Sequence, residues 1–220
     1  MMHYMPQNWA SDDTDGEERL KIQYGTSMVY PASVMTAHVS AVPNHQTGHI
    51  TPLDFRANVA FFGNFGYELD VRKMTDEEKE AVKKQIKLYK EIRMLMQYGD
   101  FYRLLSPFDN NVGGDVAWIT VAPDKKEAVA CYYRVTGEPN AQDVRFKLKG
   151  LEPDAKYELM DDELTQWAGA LKTFLGREEE RSGKRIYTGR QLMEFGLHVG
   201  MDLPLNSDHE SKLYRFKMVE

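Results

Sequence analysis

The chain has 220 residues, with 28 Lys and Arg against 34 Asp and Glu for a net charge of −6, 42% hydrophobic residues, three Trp and one Cys. These proportions suit a packed core and exclude wholesale disorder, while the mildly acidic balance speaks against nucleic acid or an anionic membrane surface as main partner, since phosphate binding needs a basic face. The lone Cys131 excludes an internal disulfide and a Cys-only zinc cage, and nowhere do the ~18 uninterrupted apolar residues of a membrane span occur.

Met1-Met2-His3-Tyr4-Met5-Pro6 carries neither the basic nor the apolar stretch of a secretory signal, so a cytoplasmic protein is expected. The chemistry begins at once, by Asn8-Trp9, as in the tail of something longer. Thr14-Asp15-Gly16-Glu17 has capping-box spacing, with Thr14 as N-cap of a helix that runs to about Gly25. Val34 to Val42 reads as strand and loop. Thr51-Pro52-Leu53-Asp54 opens a second helix with Thr51 at N-cap, carrying Phe55, Val59, Ala60 and Phe62 to Gly63. Phe65 to Asp70 reads as a short strand. Thr75-Asp76-Glu77-Glu78 is a further capping box at the head of the longest helix, whose stripe is Val82, Ile86, Tyr89, Ile92, Leu95 and Met96. Helices alternating with short strands have the rhythm of βα units on a parallel sheet.

The style changes near residue 107. Val116–Val121 and Ala128–Tyr133 are strand-like, with Pro123-Asp124-Lys125-Lys126 as the turn between them. Val144–Lys149, Lys156–Leu159 and Leu213–Met218 alternate apolar and polar residues, as half-buried strands do. Together they predict an antiparallel β-sandwich over 107–220. Glu178 to Lys184 is the most polar stretch and reads as an exposed loop, and no internal repeat is visible.

Asp12, Asp13 and Asp15 lie beside Trp9, where a strand-like segment meets a helix start. Barrel enzymes draw catalytic groups from such strand ends. Grouped carboxylates raise one another's pKa, as a proton donor near neutral pH requires, and an indole stacks on the C–H face of a sugar. Asp and Thr at a helix start are also ordinary caps, whose dipole acts the other way. Arg19 is placed either against an acid of the cluster or on a solvent face. His38 and His45, seven apart and without Cys, fit loop-fixing hydrogen bonds better than a zinc pair. Gly113-Gly114 lacks the Lys and Ser/Thr of a phosphate loop, no Ser sits in a nucleophile elbow, and Cys131 lies in an apolar strand as a buried thiol would.

Pro6–Asp15, Glu18–Ser27, Tyr30-Pro31, His38–Gly48, Asn64–Leu69 and Tyr98–Pro107 together resemble the alpha-galactosidases of glycoside hydrolase family 36. The resemblance runs nearly gap-free over the first half and more loosely over the second. It implies the C-terminal part of a (β/α)8 TIM barrel at 1–106 and a C-terminal β-sandwich at 107–220, roughly the last third of a full protein. The implied reaction is hydrolysis of terminal alpha-linked galactose from melibiose or raffinose with retention, and no cofactor or metal. The implied general acid/base is Asp13, with Asp12 as rival; Asp12 and Asp15 shape or cap the pocket, and Trp9 walls the sugar. The family's nucleophile motif, flanked by Lys, Asn and Arg, has no counterpart in this sequence, so the isolated chain is expected to be inactive. Gly16 and His49 stand where the resemblance leads one to expect Ala and Arg. The partners implied are alpha-galactosides and either a homo-oligomer, tetrameric in the family, or the missing N-terminal part. A non-catalytic carbohydrate-binding or assembly module and one half of a split enzyme are the alternatives. Apolar stripes such as Val59–Phe62 and Ile86–Ile92 are expected to lie partly uncovered if the barrel is incomplete.

Overall fold

A computed structural model describes residues 4–109, 113–140, 144–160, 185–199 and 206–220. Its first part builds a short parallel sheet: β1 (Thr36–Ser40) pairs in parallel with β2 (Asn64–Glu68), and Asn8 bridges to Met35 on the other side, also in parallel. Three helices alternate with these segments, α1 (Gly16–Thr26), α2 (Leu53–Ala60) and α3 (Asp76–Tyr98). The register Thr36–Asn64, His38–Gly66, Ser40–Glu68 puts these polar or small residues on one face. The opposite face carries Ala37, Val39, Phe65 and Tyr67 and packs into the apolar core with the helices.

Two helix starts differ from the expected ones. The N-cap of α1 is Asp15, whose carboxylate accepts from the amides of Glu17 and Glu18; Thr14 is drawn away, its carbonyl accepting from Ser40 Oγ and its hydroxyl facing Asn44. α2 starts one residue later than expected, with Pro52 at N-cap and no side-chain cap. The Thr75–Glu78 capping box on α3 forms in both directions. The buried stripe of α3 is Gln85, Leu88, Ile92 and Met96, so it is rotated towards Leu88 and leaves Ile86 half-buried.

β3 (Asp100–Leu105), β4 (Val116–Val121), β5 (Glu127–Arg134), β7 (Lys156–Met160), β8 (Arg185–Thr188) and β10 (Glu210–Val219) make one antiparallel sheet in the order β3-β4-β5-β10-β7-β8. β3 precedes residue 107 yet pairs into this sheet through β4. β6 (Arg145–Phe146) and β9 (Leu197–His198) form a separate antiparallel pair, so the alternation over Val144–Lys149 gives only a two-residue strand. A short helix, α4 (Gly189–Glu194), follows β8 with its own capping box at Thr188. The polar stretch at 178–184 lies outside the described residues.

Successive side chains of a strand point to opposite faces, and both faces of the sheet are covered. Trp118, Val129, Cys131, Tyr133 and Leu213 face the helical part, whereas Ile119, Ala130, Tyr132, Tyr214 and Phe216 face Phe146, Leu148, Leu192, Leu197 and Val199. α2 is thereby enclosed between β1 and the sheet, with Phe55 on Tyr133 at 5.8 Å and Phe62 on Trp118 at 5.6 Å between ring centres. This corrects one expectation: Val59, Ala60, Phe61 and Phe62 are all buried, Phe61 against Phe65 and Tyr89 and Phe62 against Trp118 of the sheet. Cys131 is wholly buried and burial pushes its thiol well above the ordinary value. Among the described residues no helix is long and apolar enough to cross a membrane.

Candidate active site

Asn8, β1 and β2 run in the same direction, and the turn Trp9–Asp15 follows the first of them. It folds over the end of β1, where Ser40 Oγ donates to the Thr14 carbonyl at 3.0 Å. The turn therefore sits at the C-terminal ends of the parallel segments. Ala10 takes a positive φ of 58°, a sharp reversal rare for a residue with a Cβ. Ser11 Oγ then accepts from the Asp13 amide at 3.1 Å, and Asp13 Oδ1 from the Asp15 amide at 2.9 Å. One carboxylate oxygen of Asp13 is thus held by the backbone; its Oδ2 has no hydrogen-bond partner among the described residues. Asp13 is half-buried, Asp12 is exposed, and Asp15 is buried beneath both.

Arg19 on α1 fixes this turn. It is 4% exposed, which excludes the solvent face; it lies against the acidic cluster, but its guanidinium donates to main-chain carbonyls rather than to a carboxylate, Nη1 to Trp9, Ser11 and Asp13 at 3.2 to 3.5 Å and Nη2 to Thr36 at 2.9 Å. Burial pulls its pKa down to about 10, with the nearby Asp13 charge acting in the opposite sense. Arg56 on α2 plays the matching part for the next loop, donating to the carbonyls of Ser40 and Thr51. Carbonyls at the ends of strands and turns are the groups a buried chain must satisfy, and a fork of five N–H donors can serve several at once.

The loop after β1 closes over the other side. Asn44 Oδ1 accepts from the amides of Gln46 and Thr47, Thr47 Oγ1 donates to Asp15 Oδ2 at 2.9 Å, and His49 Nδ1 lies 3.1 Å from Asp15 Oδ1. Burial works to raise the Asp15 carboxyl, but the Glu18 amide, His49 and Thr47 together hold it below its ordinary value. Glu17 is lowered too, chiefly by the hydrogen bond from His209, 3.1 Å away. Asp15 and Glu17 therefore shift down, opposite to what clustering alone would give, because each of these two carboxylates has its own donors. His49 is raised, first by its bond to Asp15.

Trp9 is 46% exposed and stands edge-on to His38, with ring centres 4.5 Å apart. His38 Nδ1 lies 3.6 Å from Glu68 Oε2, and the ring lies over Gly66, where an added Cβ would come within 2.9 Å of it. Trp9, His38 and Glu68 thus line one polar face beside the Asp13 turn. His45 is exposed without a hydrogen bond among the described residues, so Asn44 and Thr47 hold the loop where the histidines were expected to. Three contributors went unread in the sequence: Arg56, Thr47 and His209. The last approaches Glu17 from 192 positions away, and no local pattern marks it.

A family profile described as Melibiase matches residues 1–99, and one described as Glycosyl hydrolase family 36 C-terminal domain matches residues 115–216. The curated alpha-galactosidase AgaA of Geobacillus stearothermophilus is 45% identical over 221 residues, 100% of this chain and 26% of that protein. The crystal structure of an AgaA variant in complex with raffinose has a TM-score of 0.83 at 45% identity, covering 100% of this chain and 27% of that one. That of the alpha-galactosidase from Lactobacillus brevis has a TM-score of 0.85 at 43% identity, with the same coverage of 100% and 27%. The chain spans about a quarter of the length of these relatives.

Proposed function

Because the chain belongs to glycoside hydrolase family 36 and matches a C-terminal portion of its members, we propose that it supplies one half of a retaining alpha-galactosidase site. In this reading the residues before β3 are the last units of a (β/α)8 barrel, the C-terminal β-sandwich domain runs from β3 onward rather than from residue 107, and the remaining strands, with the nucleophile, belong to a preceding portion. The raffinose complex of the AgaA variant supports a melibiose- or raffinose-type galactoside as substrate.

The observation that carries the reading is the turn itself. Asp13 stands half-buried at the C-terminal ends of parallel segments, with one oxygen pinned to the Asp15 amide and the other open. A pinned carboxyl keeps its free oxygen aimed, which proton transfer to a leaving group requires. Asp13 protonates the departing glycosidic oxygen while the anomeric carbon passes to a second carboxylate ~5–5.5 Å from it. It then takes a proton from the water that cleaves the galactosyl ester, and configuration is retained. Trp9 offers its exposed ring to the C–H face of galactose. Asp15, committed to the helix cap, keeps the turn in place, and Asp12 is the exposed rival for the acid role.

The chain alone is expected to leave an aryl alpha-galactoside unhydrolysed; mixed with a polypeptide carrying the preceding barrel strands it regains turnover, which Asp13→Ala abolishes. With azide present, that variant should release alpha-galactosyl azide, the retained anomer that marks loss of an acid/base rather than of a nucleophile. Turnover by the chain alone that disappears in Asp13→Ala would overturn the division of the site. Loss with Asp12→Ala and not with Asp13→Ala would move the role to Asp12.

A further inference from the structure

Four ionisable side chains from three separate segments meet beneath the Asp13 turn. From α1 come Asp15, the buried cap, and Glu17; from the loop after β1 comes His49; from the loop leading into β10 comes His209, itself at a positive φ of 55°. His49 Nδ1 lies 3.1 Å from Asp15 Oδ1 and 3.8 Å from Glu17 Oε2, and Glu17 Oε2 lies 3.1 Å from His209 Nε2. The imidazoles are 6.4 Å apart, and His209 stands edge-on to Phe55 at 5.4 Å. The charged groups acting on His49 are thus Asp15, Glu17 and Glu18 from α1, while His209 from the far loop and Lys21 act on Glu17. Its own loop adds Thr47, which accepts from the His49 amide and donates to Asp15.

We propose that His49 is a positioning residue for the Asp13 turn: when it carries a proton, its imidazolium bridges Asp15 and Glu17 and, through Glu17 and His209, ties the turn to the loop that enters the sheet. The reasoning is geometric. Asp15 donates its amide to Asp13 Oδ1 and caps α1 with its side chain, so whatever holds Asp15 also sets the direction of Asp13. The Asp15 carboxylate is buried and bonded to two amides, a hydroxyl and one imidazole; among these the imidazole is the one donor whose charge changes near neutral pH. His49 is about two-fifths exposed, so protons reach it freely.

The sign follows from the directions of the shifts. His49 is raised above 6.5, so its contribution is complete below that value and is lost as pH climbs through the raised one. Asp15 and Glu17 are lowered from 3.8 and 4.5, so theirs is complete above those values and is lost as pH falls through the lowered ones. The turn is held most firmly between about 4.5 and 6.5 and loosens as the solution becomes alkaline. The catalytic meaning of this device rests on the assignment of Asp13 as acid/base, but its operation does not.

The test uses the full 220-residue chain and reads structure rather than turnover. Histidine ring NMR across pH 5 to 9 gives the His49 midpoint, and hydrogen exchange of the Asp15, Glu17 and Glu18 amides is followed over the same range. Protection is expected to fall with the His49 midpoint, by up to about tenfold for each unit by which that midpoint exceeds 6.5. His49→Arg should keep the protection and remove its pH dependence; His49→Gln should lower it at every pH. Asp13→Asn should leave the titration in place, so failure of the acid/base assignment would appear only in reconstituted turnover. Amide protection that ignores the His49 midpoint, or that is unchanged in His49→Gln, would overturn the proposal.

Discussion

Around Asp13 the chain is held by side chains that reach main-chain carbonyls and carboxylates, whereas in the six-stranded sheet it is held by apolar residues pointing alternately into two cores. Arg19 serves carbonyls of residues 9, 11, 13 and 36, and Arg56 serves those of 40 and 51. In the sheet Trp118, Cys131 and Tyr133 face one way and Ile119, Ala130 and Tyr132 the other, all of them buried. Apolar contact is non-directional and spreads a loss over many neighbours; a hydrogen bond is directional and leaves a named group stranded when it goes. A loop that must aim a carboxyl benefits from the second kind of support, and a platform that must only stay rigid benefits from the first.

The sharpest separation is expected from Trp118→Ala. The indole is fully buried against Phe62, Phe101 and Tyr133, and its removal should cost about 4 kcal/mol of global stability, read as a drop in denaturant midpoint. Because α2 packs on this face, the Asp13 turn and the sheet should lose stability together. Arg19→Met should come next, at about 3 kcal/mol, since it keeps the aliphatic bulk and strands several carbonyls. Its signature should be local, with the amides of residues 13–18 losing exchange protection ahead of those in β4 and β5. Equal loss in the sheet, or a cost below about 1 kcal/mol, would show that water can replace the guanidinium and would dissolve the contrast.

The same contrast explains what could be read in advance. Local signals located these strands, apolar runs between turn residues for β4 and β5 and period-two alternation for β7 and most of β10; both cores then follow from the pleat. The helices were visible in their stripes, although α3 turned towards Leu88 because burial is decided by the sheet it meets. Around the candidate site the family resemblance pointed to the turn, but its supports were hidden. Arg19 sits on a helix as any exposed arginine would, and only the fold shows four carbonyls waiting for it. Thr14 has the better cap sequence, yet its contacts with Ser40 and Asn44 come from residues 26 and 30 positions away and pass the cap to Asp15. Val59–Phe62 looked uncovered because part of their cover, Trp118 on Phe62, comes from a later part of the chain. Long-range polar contacts leave no periodic trace, so the part of the molecule most concerned with chemistry was the part least legible.

Gly16→Ala probes the smallest difference, at the junction between helix propensity and the arginine supports. Gly16 is the first residue of α1, and Ala in a helix is favoured over Gly by about 1 kcal/mol, an upper limit at a terminal position. The added Cβ would stand 3.1 Å from Arg56 Cγ and 3.4 Å from both Phe55 Cδ1 and Thr51 Oγ1. Those contacts require a shift of a few tenths of an ångström, and Arg56 has little freedom to give it while its head is bonded to Ser40 and Thr51. The two effects oppose each other, and the net change in unfolding free energy should stay within about 0.5 kcal/mol. Paired with Arg56→Met, which frees the stem, the same substitution should become stabilising. A Gly16→Ala gain near 1 kcal/mol in the unmodified chain would mean that Arg56 moves easily, and that its hold on the loop after β1 is slack.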